Sequence, residues 1–579
     1  MKKQSKFNFI KDNSTLILLG IVFTLVLAII YVYFLKTENT IRTWDYSGYW
    51  LITVYQKLSW HTANILESIK HIFITINKDD YNLLPSTLLQ PVFGLSNNSF
   101  FGYIMSVFIV YLVPLLITFS FIFLKLFKKL KYRTLSYILF MFMIVLSPQL
   151  HIPVFCGYLD VVGLLICAFI MYHILDYDFE KFEFKKNILI ALGLFLLTII
   201  RRYFIFWTIG LFVSLEVVYI VKDLIINKNM KLIVNRTKNI IILGLSFSIP
   251  VILLFTEMFL RSTGTNYKVI YSAYKNGNLF WLFKNLFSYN GIVLMLLFIT
   301  GFILMIKKQE YRKNAIIILL NCVITFILFG SIQGIGRHQY YVLLFSVLFF
   351  VTAAAVLILE ELSVNKKLKK HKVIQNSFIV LFTIFVIMFS YKNFTIIFSK
   401  ETDFLYTNSK ITMYSSTKSN ISNTMTKIKD ILKDNDKKIY VVASSEAYNA
   451  ETFPNSILPD LILKDRFTSV SNVDLRDGFD KNFLLADYIL IVTPTQYHLR
   501  PENQRVVGVL YDAIENKTPL NNNLNLVFYD KIENENIEFK IYEKVKNFTK
   551  EDQKFLTEEF NKYYPQNKEL FHNRILDNE

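Results

Sequence analysis

Apolar runs follow one another along residues 1–400 and are separated by short polar segments. Most of them are about 20 residues long, the length that a helix needs to cross the hydrocarbon core of a bilayer. The run 188–200 is shorter and ends at two arginines. The pattern predicts about eleven membrane-spanning helices, at 14–35, 101–124, 134–150, 154–175, 188–200, 203–221, 239–260, 290–306, 314–331, 340–359 and 375–398.

Residues 401–579 have a different pattern, in which short apolar runs alternate with charged residues. Short apolar runs bounded by turn residues indicate buried strands, and apolar positions at helical spacing indicate helices. Strands are predicted in KKIYVVASS, ADYILIVTP, LNLVFYDK and IEFKIYEKV, and helices in ENQRVVGVLYDAIEN and TKEDQKFLTEEFNKYYPQ. The predicted fold class is therefore a polytopic α-helical membrane protein over residues 1–400 with a soluble C-terminal α/β domain over 401–579.

The long loop 36–100 has a pattern of its own. Its apolar positions at helical spacing predict an amphipathic helix over 58–77 that lies on the membrane surface. Pro85 and Pro91 then break the helix and turn the chain back into the bilayer. Two interpretations stay open, a connector that covers the helix tops and a lid over a lipid-facing cavity. The apolar positions are Leu58, Ile65, Ile69, Ile72 and Ile76.

The composition supports the membrane assignment, and the charge pattern sets an orientation. Of 579 residues, 53% are hydrophobic and 19% are charged, with a net charge of +18. The basic residues gather between apolar runs, in KLFKKLKYR, KKQEYRK and NKKLKKHK, as cytoplasmic loops do, which argues against nucleic-acid binding. This bias predicts a cytoplasmic N-terminus, and an odd number of spans then places the C-terminal domain outside the cell.

Few sequence signals indicate metal or nucleophile chemistry. The three cysteines, Cys156, Cys167 and Cys322, show no CxxC spacing, so neither a zinc site nor a disulfide framework is indicated. The C-terminal domain contains no Gly-rich phosphate loop and no Ser-His-Asp signature. His498 and Asp487 are therefore interpreted as structural.

Asp45, in RTWDYSGYW, is the first candidate catalytic residue. It lies ten residues past the first span and beside several aromatic residues. It is interpreted either as an incidental acid in an interfacial aromatic belt or as a partly desolvated general base that takes a proton from an acceptor hydroxyl.

Asp160 is the second candidate, because it lies inside the fourth predicted span, near its outer end. A carboxylate within an apolar segment costs a few kcal/mol unless it faces a cavity or a partner. Pro148, Pro153 and Gly157 predict an irregular turn there, at the same membrane face as Asp45. The alternative interpretation is that Asp160 pairs with a helix cation for packing.

Several cations are predicted at the same face. Arg201 and Arg202 are adjacent, so on a helix they point about 100° apart and at least one should face the protein interior. Arginine binds phosphate through a fork of donors and stays charged when buried. Arg337 and His338 lie in a Gly-rich turn between two spans, and Lys268 is interpreted either as a further contact or as a solvated loop lysine.

With these residues in place, the chain resembles glycosyltransferases of the GT-C class, which include protein O-mannosyltransferases, aminoarabinose transferases and many bacterial cell-envelope enzymes. The resemblance covers residues 1–400. It implies that Asp45 is the first-loop acid, that 58–77 is the surface helix and that Asp160 is the second acid. It also implies donor-phosphate contacts from Arg201, Arg202, Arg337 and His338.

The resemblance implies an inverting transfer of a sugar from a polyprenyl-phosphate donor to an envelope glycan, teichoic acid, lipid or protein outside the cell membrane. Asp45 would be the base, and the arginines would stabilise the leaving phosphate. The first-loop acid stands alone in TWDYSG rather than in a paired motif, and enzymes with polyprenyl monophosphate donors generally use no metal. No cofactor or metal is therefore expected.

Three other functions remain as alternatives. A transporter or flippase for a lipid-linked or anionic precursor would also need cations within the membrane, but no internal repeat is visible in the sequence. A polysaccharide polymerase or ligase is chemically close but has its large outer loop in the middle of the chain. The third is a non-catalytic scaffold whose C-terminal domain binds a partner.

Overall fold

The computed structural model describes residues 12–62, 64–270, 272–274, 279–332, 334–336, 338–411, 416–432, 436–516 and 518–576. The chain divides into two compact units. The membrane unit consists of Met1–Lys36, Tyr49–Lys268 and Gly277–Ile411, and the sheet unit consists of Thr37–Gly48, Val269–Asn276 and Thr412–Glu579. The sheet unit therefore contains two segments that are distant in sequence from the C-terminal region.

The membrane unit is helical. Its main helices are Ser14–Thr37, Asp45–Thr62, Ile65–Lys78, Leu84–Phe93, Phe100–Val107, Val113–Leu126, Arg133–Val145, Pro148–Cys156, Val161–Ile174, Phe184–Ile200, Ile205–Val221, Met230–Leu254, Thr256–Gly264, Leu279–Asn290, Ile292–Lys307, Gln309–Ile332, Tyr341–Val364 and Lys372–Thr395. Short helical segments are Phe108–Leu112, Arg202–Phe204, Lys222–Asn227, Tyr267–Ile270, Lys366–Lys369 and Ile396–Phe398.

Eight helices of the described chain are long and apolar enough to cross a membrane, and a ninth counts if Leu279–Asn290 and Ile292–Lys307, bent by 100°, form one span. The protein is therefore a multi-pass membrane protein. Two of the eleven predicted spans are present as shorter helices, Val161–Ile174 and Phe184–Ile200. At 1.5 Å per residue these reach roughly 21 and 25 Å, less than the ~30 Å hydrocarbon core.

The helix Tyr341–Val364 forms the centre of the membrane unit, and most of its side chains are buried. It packs against Ile292–Lys307 and Arg133–Val145. Gly301 allows one of these contacts, because a Cβ there would lie 1.9 Å from the Phe350 carbonyl oxygen. Any side chain at this position would push the two helices apart.

The third and fourth predicted spans meet later in the chain than their predicted bounds, 134–150 and 154–175. Pro148 and Pro153, which were predicted in the irregular turn together with Gly157, lie in the helix Pro148–Cys156, and the chain turns at Gly157. Pro148 occupies the first turn, where its missing N–H is not needed. Gly157 has a φ of 104°, which glycine adopts without the cost that a side chain adds. Asp160 therefore lies just before the fourth helix, not inside it.

The predicted surface helix over 58–77 is divided between two helices, Asp45–Thr62 and Ile65–Lys78. Asn64 begins the second one, since its side chain accepts from the Glu67 N–H at 2.9 Å while the Glu67 carboxylate accepts from the Asn64 N–H. Ile65 and Ile69 are exposed, whereas Ile76 is buried. The apolar positions of the second helix are thus exposed near its start and buried near its end, and its location on the membrane surface stays a prediction.

The sheet unit contains five strands, β1 Ile439–Val442, β2 Phe467–Ser469, β3 Tyr488–Thr493, β4 Leu524–Ile532 and β5 Ile537–Lys544. Their order in the sheet is β2-β1-β3-β5-β4. The first three strands are parallel, with Ile439 opposite both Phe467 and Tyr488, and β5 pairs antiparallel to β3 and β4. The four predicted strands are confirmed, and β2 was not anticipated.

Both faces of this sheet are covered. Tyr440, Val442 and Ile489 belong to a buried cluster on one face, and Val441 and Leu490 belong to a second cluster on the other. Because successive residues of a strand are buried on opposite faces, both kinds of position are apolar, and the strands appear in the sequence as continuous apolar runs. Both predicted helices are present, as Arg505–Glu515 and Lys550–Asn561.

The described helices of the unit are Ser422–Leu432, Thr452–Asn455, Asp474–Asp477, Asn482–Leu485, Arg505–Glu515, Lys550–Asn561 and His572–Leu576. Its short 3-10 turns are Ser272–Tyr274, Lys418–Ile421, Lys464–Arg466, Pro501–Asn503, Pro519–Asn523 and Glu533–Glu535.

Candidate functional site

The inner cluster of the membrane unit consists of Asp160, Arg201 and Tyr203. Arg201 donates from Nε to the Asp160 Oδ1 at 2.9 Å, and the Tyr203 hydroxyl donates to the same oxygen. The Asp160 side chain is fully buried, and that of Arg201 is 8% exposed. A buried carboxylate needs such partners, because an unpaired charge at this depth would be strongly destabilising.

The backbone explains how Arg201 reaches Asp160. The helix Phe184–Ile200 ends there, and Arg201 has an extended backbone with φ −150° and ψ 109°. Arg202 then begins a 3-10 turn, so the two arginines do not follow one helix. The expectation that one of them faces the interior is confirmed, but the change of backbone conformation, and not the helical angle, separates the two side chains.

Two tyrosine rings flank the Arg201 guanidinium. Its central carbon lies 4.6 Å from the ring centre of Tyr49 and 4.9 Å from that of Tyr81. Guanidinium groups bind aromatic faces favourably, more so when water is excluded. Its Nη1 also reaches the Asp80 carbonyl oxygen at 3.4 Å. The inner cluster therefore holds one guanidinium group in a fixed position between an acid and two aromatic faces.

The outer cluster consists of Asp80, Arg202 and Arg261. Both arginines bind the Asp80 Oδ1, Arg261 at 3.1 Å. Arg261 also donates to the Lys78 carbonyl oxygen at 2.6 Å. These three side chains are 20–39% exposed, so water and ligands reach this cluster more easily than they reach the inner one.

The amide of Asn82 also joins the loop of Asp80 to the helix end that carries the arginines. Asn82 is buried and donates from Nδ2 to the Ile199 carbonyl oxygen at 2.9 Å. That carbonyl belongs to the last turn of its helix, where the carbonyl oxygens have no hydrogen-bond donor within the helix and need one from elsewhere. Asn82 thus fixes the two clusters side by side.

His338 packs against Tyr158, two residues before Asp160. Its ring stacks on that of Tyr158, with ring centres 4.4 Å apart and planes inclined by 12°. The structure therefore brings His338 close to the segment that carries Asp160, and its contact with a donor phosphate stays a prediction. Arg337 lies outside the described residues, and the side chain of Lys268 does too.

Asp45 belongs to the sheet unit, where it is half-buried at the first position of the helix Asp45–Thr62. An acid in the first turn is favoured by the helix dipole. Glu451 fixes this helix start, since its Oε2 accepts from the Trp44 N–H at 2.7 Å and from the Ser47 hydroxyl at 3.1 Å. The predicted common membrane face of Asp45 and Asp160 stays a prediction.

Four residues of these clusters were not anticipated from the sequence, namely Asp80, Tyr203, Tyr49 and Tyr81. The acids of NKDDYNLLP precede a predicted return to the membrane, and the tyrosine of RRYF follows the two arginines. Tyr203 directly follows Arg202, which was selected, but charge or aromaticity alone did not indicate a role for any of the four. In the part of the chain that the structure describes, no group of three or more His, Cys, Asp or Glu side chains is arranged to hold a metal.

No family model and no curated protein matches the chain. Among solved structures, ArnT from Cupriavidus metallidurans bound to undecaprenyl phosphate is similar with 9% identity and a TM-score of 0.49, over 90% of this chain and 97% of that one. The same protein in the apo state gives 9% identity and a TM-score of 0.45, with equal coverage. At these values the likeness by itself assigns no activity.

Proposed function

We propose that this protein is a membrane glycosyltransferase that moves a sugar from a polyprenyl-phosphate donor to an acceptor outside the cytoplasm. One observation carries the proposal: guanidinium groups held by acids at the ends of membrane helices. Such groups suit a substrate that combines a phosphate with a membrane-embedded chain. The sequence resemblance to GT-C enzymes supports the same class of reaction.

The two clusters have different roles in this proposal. Arg202 and Arg261 are partly exposed, so a lipid phosphate can exchange with Asp80 for their donors. Arg201 is bound through Nε by Asp160 and contributes a fixed positive charge beside them. Asp160 is then a positioning residue that acts through Arg201. His338, Arg337 and Lys268 remain proposed phosphate contacts on the basis of the sequence.

The proposed reaction is a single displacement at the anomeric carbon. The acceptor hydroxyl oxygen forms a bond to that carbon while the bond from the carbon to the phosphate oxygen breaks, so the configuration inverts. Asp45 takes the hydroxyl proton, and the polyprenyl phosphate leaves with the electron pair. The arginines stabilise the negative charge that develops on the phosphate, and no metal takes part in the step.

The test is mass spectrometry of envelope glycans from a wild-type strain, a deletion strain, and deletion strains that carry Asp45→Asn or Asp512→Asn. Asp512 is an exposed acid on the helix Arg505–Glu515 and serves as the matched control. We expect one sugar to disappear in the deletion and in Asp45→Asn and to be restored by Asp512→Asn. Restoration by Asp45→Asn would contradict the role of this residue as the base.

One observation favours a second function, transport of a lipid-linked precursor. The helices Leu279–Asn290 and Ile292–Lys307 are bent by 100° at Gly291, and transporters build their sites from such broken helices. The same strains separate the two functions. A transporter would leave the glycan unchanged in Asp45→Asn, whereas its deletion would make the lipid-linked precursor accumulate on the inner leaflet.

A further inference from the structure

The sheet unit contains a cavity of about 230 Å³ at the carboxyl ends of its parallel strands. Ser444 follows β1, and Ser469 and Asn472 lie at the end of β2 and beyond it. In open α/β sheets, ligands bind at these ends where the strand order reverses. The order β2-β1-β3 places that reversal at β1, so the cavity lies where such a fold has its natural binding site.

Gln504 organises this end of the sheet. It is fully buried, and its Nε2 donates to the Ser444 hydroxyl at 3.1 Å and to the Asn472 carbonyl oxygen at 3.0 Å. Its Oε1 accepts from the N–H groups of His498 and Leu499, both at 2.9 Å. One amide thus joins the segments that follow β1, β2 and β3 and fixes the wall of the cavity.

Trp44 forms another part of the wall, although it comes from the segment that precedes the helix Asp45–Thr62. Its φ of 50° is in the left-handed region, which is unfavourable for a bulky side chain. The Trp44 N–H donates to Glu451, and the indole ring lies 4.9 Å from the His498 ring. The fold therefore maintains a strained backbone that places an indole ring in this cavity.

The chemistry of the lining indicates the kind of ligand. Trp44 supplies an aromatic surface, Ser444 and Asn472 supply hydroxyl and amide groups, and Glu451 and Lys464 supply one charge of each sign. The volume is below the ~300 Å³ of drug-sized sites, so the cavity accommodates one small ring. A nucleotide or a phosphate ester would need a stronger positive charge or a phosphate-binding loop.

We propose that this cavity binds one neutral sugar ring. The C–H face of the ring would pack on the indole of Trp44, and its hydroxyl groups would bind Asn472 and Lys464. The binding itself does not depend on sugar transfer. The further assignment of the ring to the acceptor glycan rests on the proposed function, in which Asp45, the residue after Trp44, is the base.

Binding is tested on the full-length protein in lipid nanodiscs, since sugar-based detergents would compete. The probes are the methyl glycosides of glucose, galactose, mannose and N-acetylglucosamine, with glycerol phosphate as the anionic probe. Saturation-transfer NMR titrations report the affinity. We expect saturable binding of at least one neutral glycoside, weakened about tenfold by Asn472→Ala and by Lys464→Gln, which corresponds to about 1.4 kcal/mol.

The control is Asn516→Ala, an exposed amide in a different groove of the sheet unit, which should leave the affinity unchanged. Trp44→Phe keeps an aromatic ring and should weaken binding less than Asn472→Ala. Absence of glycoside binding, equal binding by all variants, or a preference for glycerol phosphate would each overturn the proposal. Asp45→Asn should bind the glycoside normally while losing transfer, so failure of the proposed reaction is seen separately from failure of this site.

Discussion

The inner and outer clusters of the membrane unit both pair an aspartate with arginine but differ in burial. Asp160 and Arg201 are 0% and 8% exposed, whereas Asp80, Arg202 and Arg261 are 20–39% exposed. A buried pair is costly to break and slow to accept a new partner, and an exposed pair is worth little and exchanges readily. Burial therefore distinguishes a charge that shapes the site from charges that meet a ligand.

The largest effect is expected from Arg201→Met. This change leaves Asp160 buried without its guanidinium partner, which should cost about 3–5 kcal/mol of stability. Thermal unfolding of the purified protein measures the loss, with Arg202→Met as the matched control at about 0–1 kcal/mol. The double variant Asp160→Asn/Arg201→Met should regain part of the stability. Equal unfolding temperatures for the two single variants would contradict the contrast between the clusters.

Asp474 in the sheet unit extends the comparison of buried acids, because it is as buried as Asp160 but its hydrogen-bond donors carry no charge. It accepts from the Tyr564 hydroxyl at 2.6 Å and from the Val506 N–H at 3.3 Å, and burial raises its pKa to about 6. The folded state then holds the proton more tightly than the unfolded state does. The stability contributed by this group is complete below pH 4 and is lost as the pH rises through 6, by about 3 kcal/mol.

The measurement for Asp474 is the unfolding free energy of the wild type and of Asp474→Asn between pH 4 and pH 7. The unfolding free energy of the wild type should fall relative to that of Asp474→Asn as the pH rises through 6, because the amide does not titrate. Asp465→Asn, at an exposed position of the same unit, should follow the wild-type curve. A difference that is constant with pH would show that Asp474 has an ordinary pKa.

An intermediate effect is expected from Tyr203→Phe, which removes one donor to Asp160 and keeps the ring. The cost should be about 1–3 kcal/mol, since the carboxylate remains bound to Arg201 but loses a buried hydrogen bond. Tyr391→Phe, at an exposed position on the helix Lys372–Thr395, is the control and should change little. A Tyr203→Phe protein as stable as that control would mean that Arg201 alone satisfies Asp160.

The smallest effect on stability is expected from Asp80→Asn, at about 0–1 kcal/mol, because this acid is partly exposed. Its effect on function should be larger, since Arg202 and Arg261 lose the group that keeps them together. Asp79→Asn changes the neighbouring exposed acid and is the matched control. The envelope glycan should decrease in the first strain and not in the second. Equal glycan levels would remove the outer cluster from the proposed site.

Much of the fold was predictable because it depends on local patterns. The strand β3 Tyr488–Thr493 and the helix Arg505–Glu515 follow from runs of apolar residues whose spacing matches one type of element. The turn between the third and fourth spans lies later than their predicted bounds, because Pro148 stands in the first turn of a helix, where proline is tolerated, and that helix continues through Pro153 to Cys156. The strand β2 is three residues long and carries no pattern of its own.

The site was predictable in its charged residues but not in their pairing. Asp160 and Arg201 were each selected as unusual charges in apolar surroundings, and pairing with a cation was the alternative interpretation for Asp160. That they bind each other depends on the extended backbone at Arg201, which no spacing rule indicates. Asp80 was missed because an acid in a loop is ordinary until the structure shows two arginines around it.

The composition of the sheet unit has a consequence for the biosynthesis of the protein. Trp44 and Glu451, which share a hydrogen bond, are 407 residues apart. At about 5–20 residues per second, a ribosome needs roughly 20–80 seconds to make the intervening chain. During that time the segment Thr37–Gly48 is already made, but the residues 412–579 that it packs with in the sheet unit are not, and the membrane helices that lie between them in sequence are being inserted. The sheet unit can therefore be completed only after the membrane helices between its segments have been made.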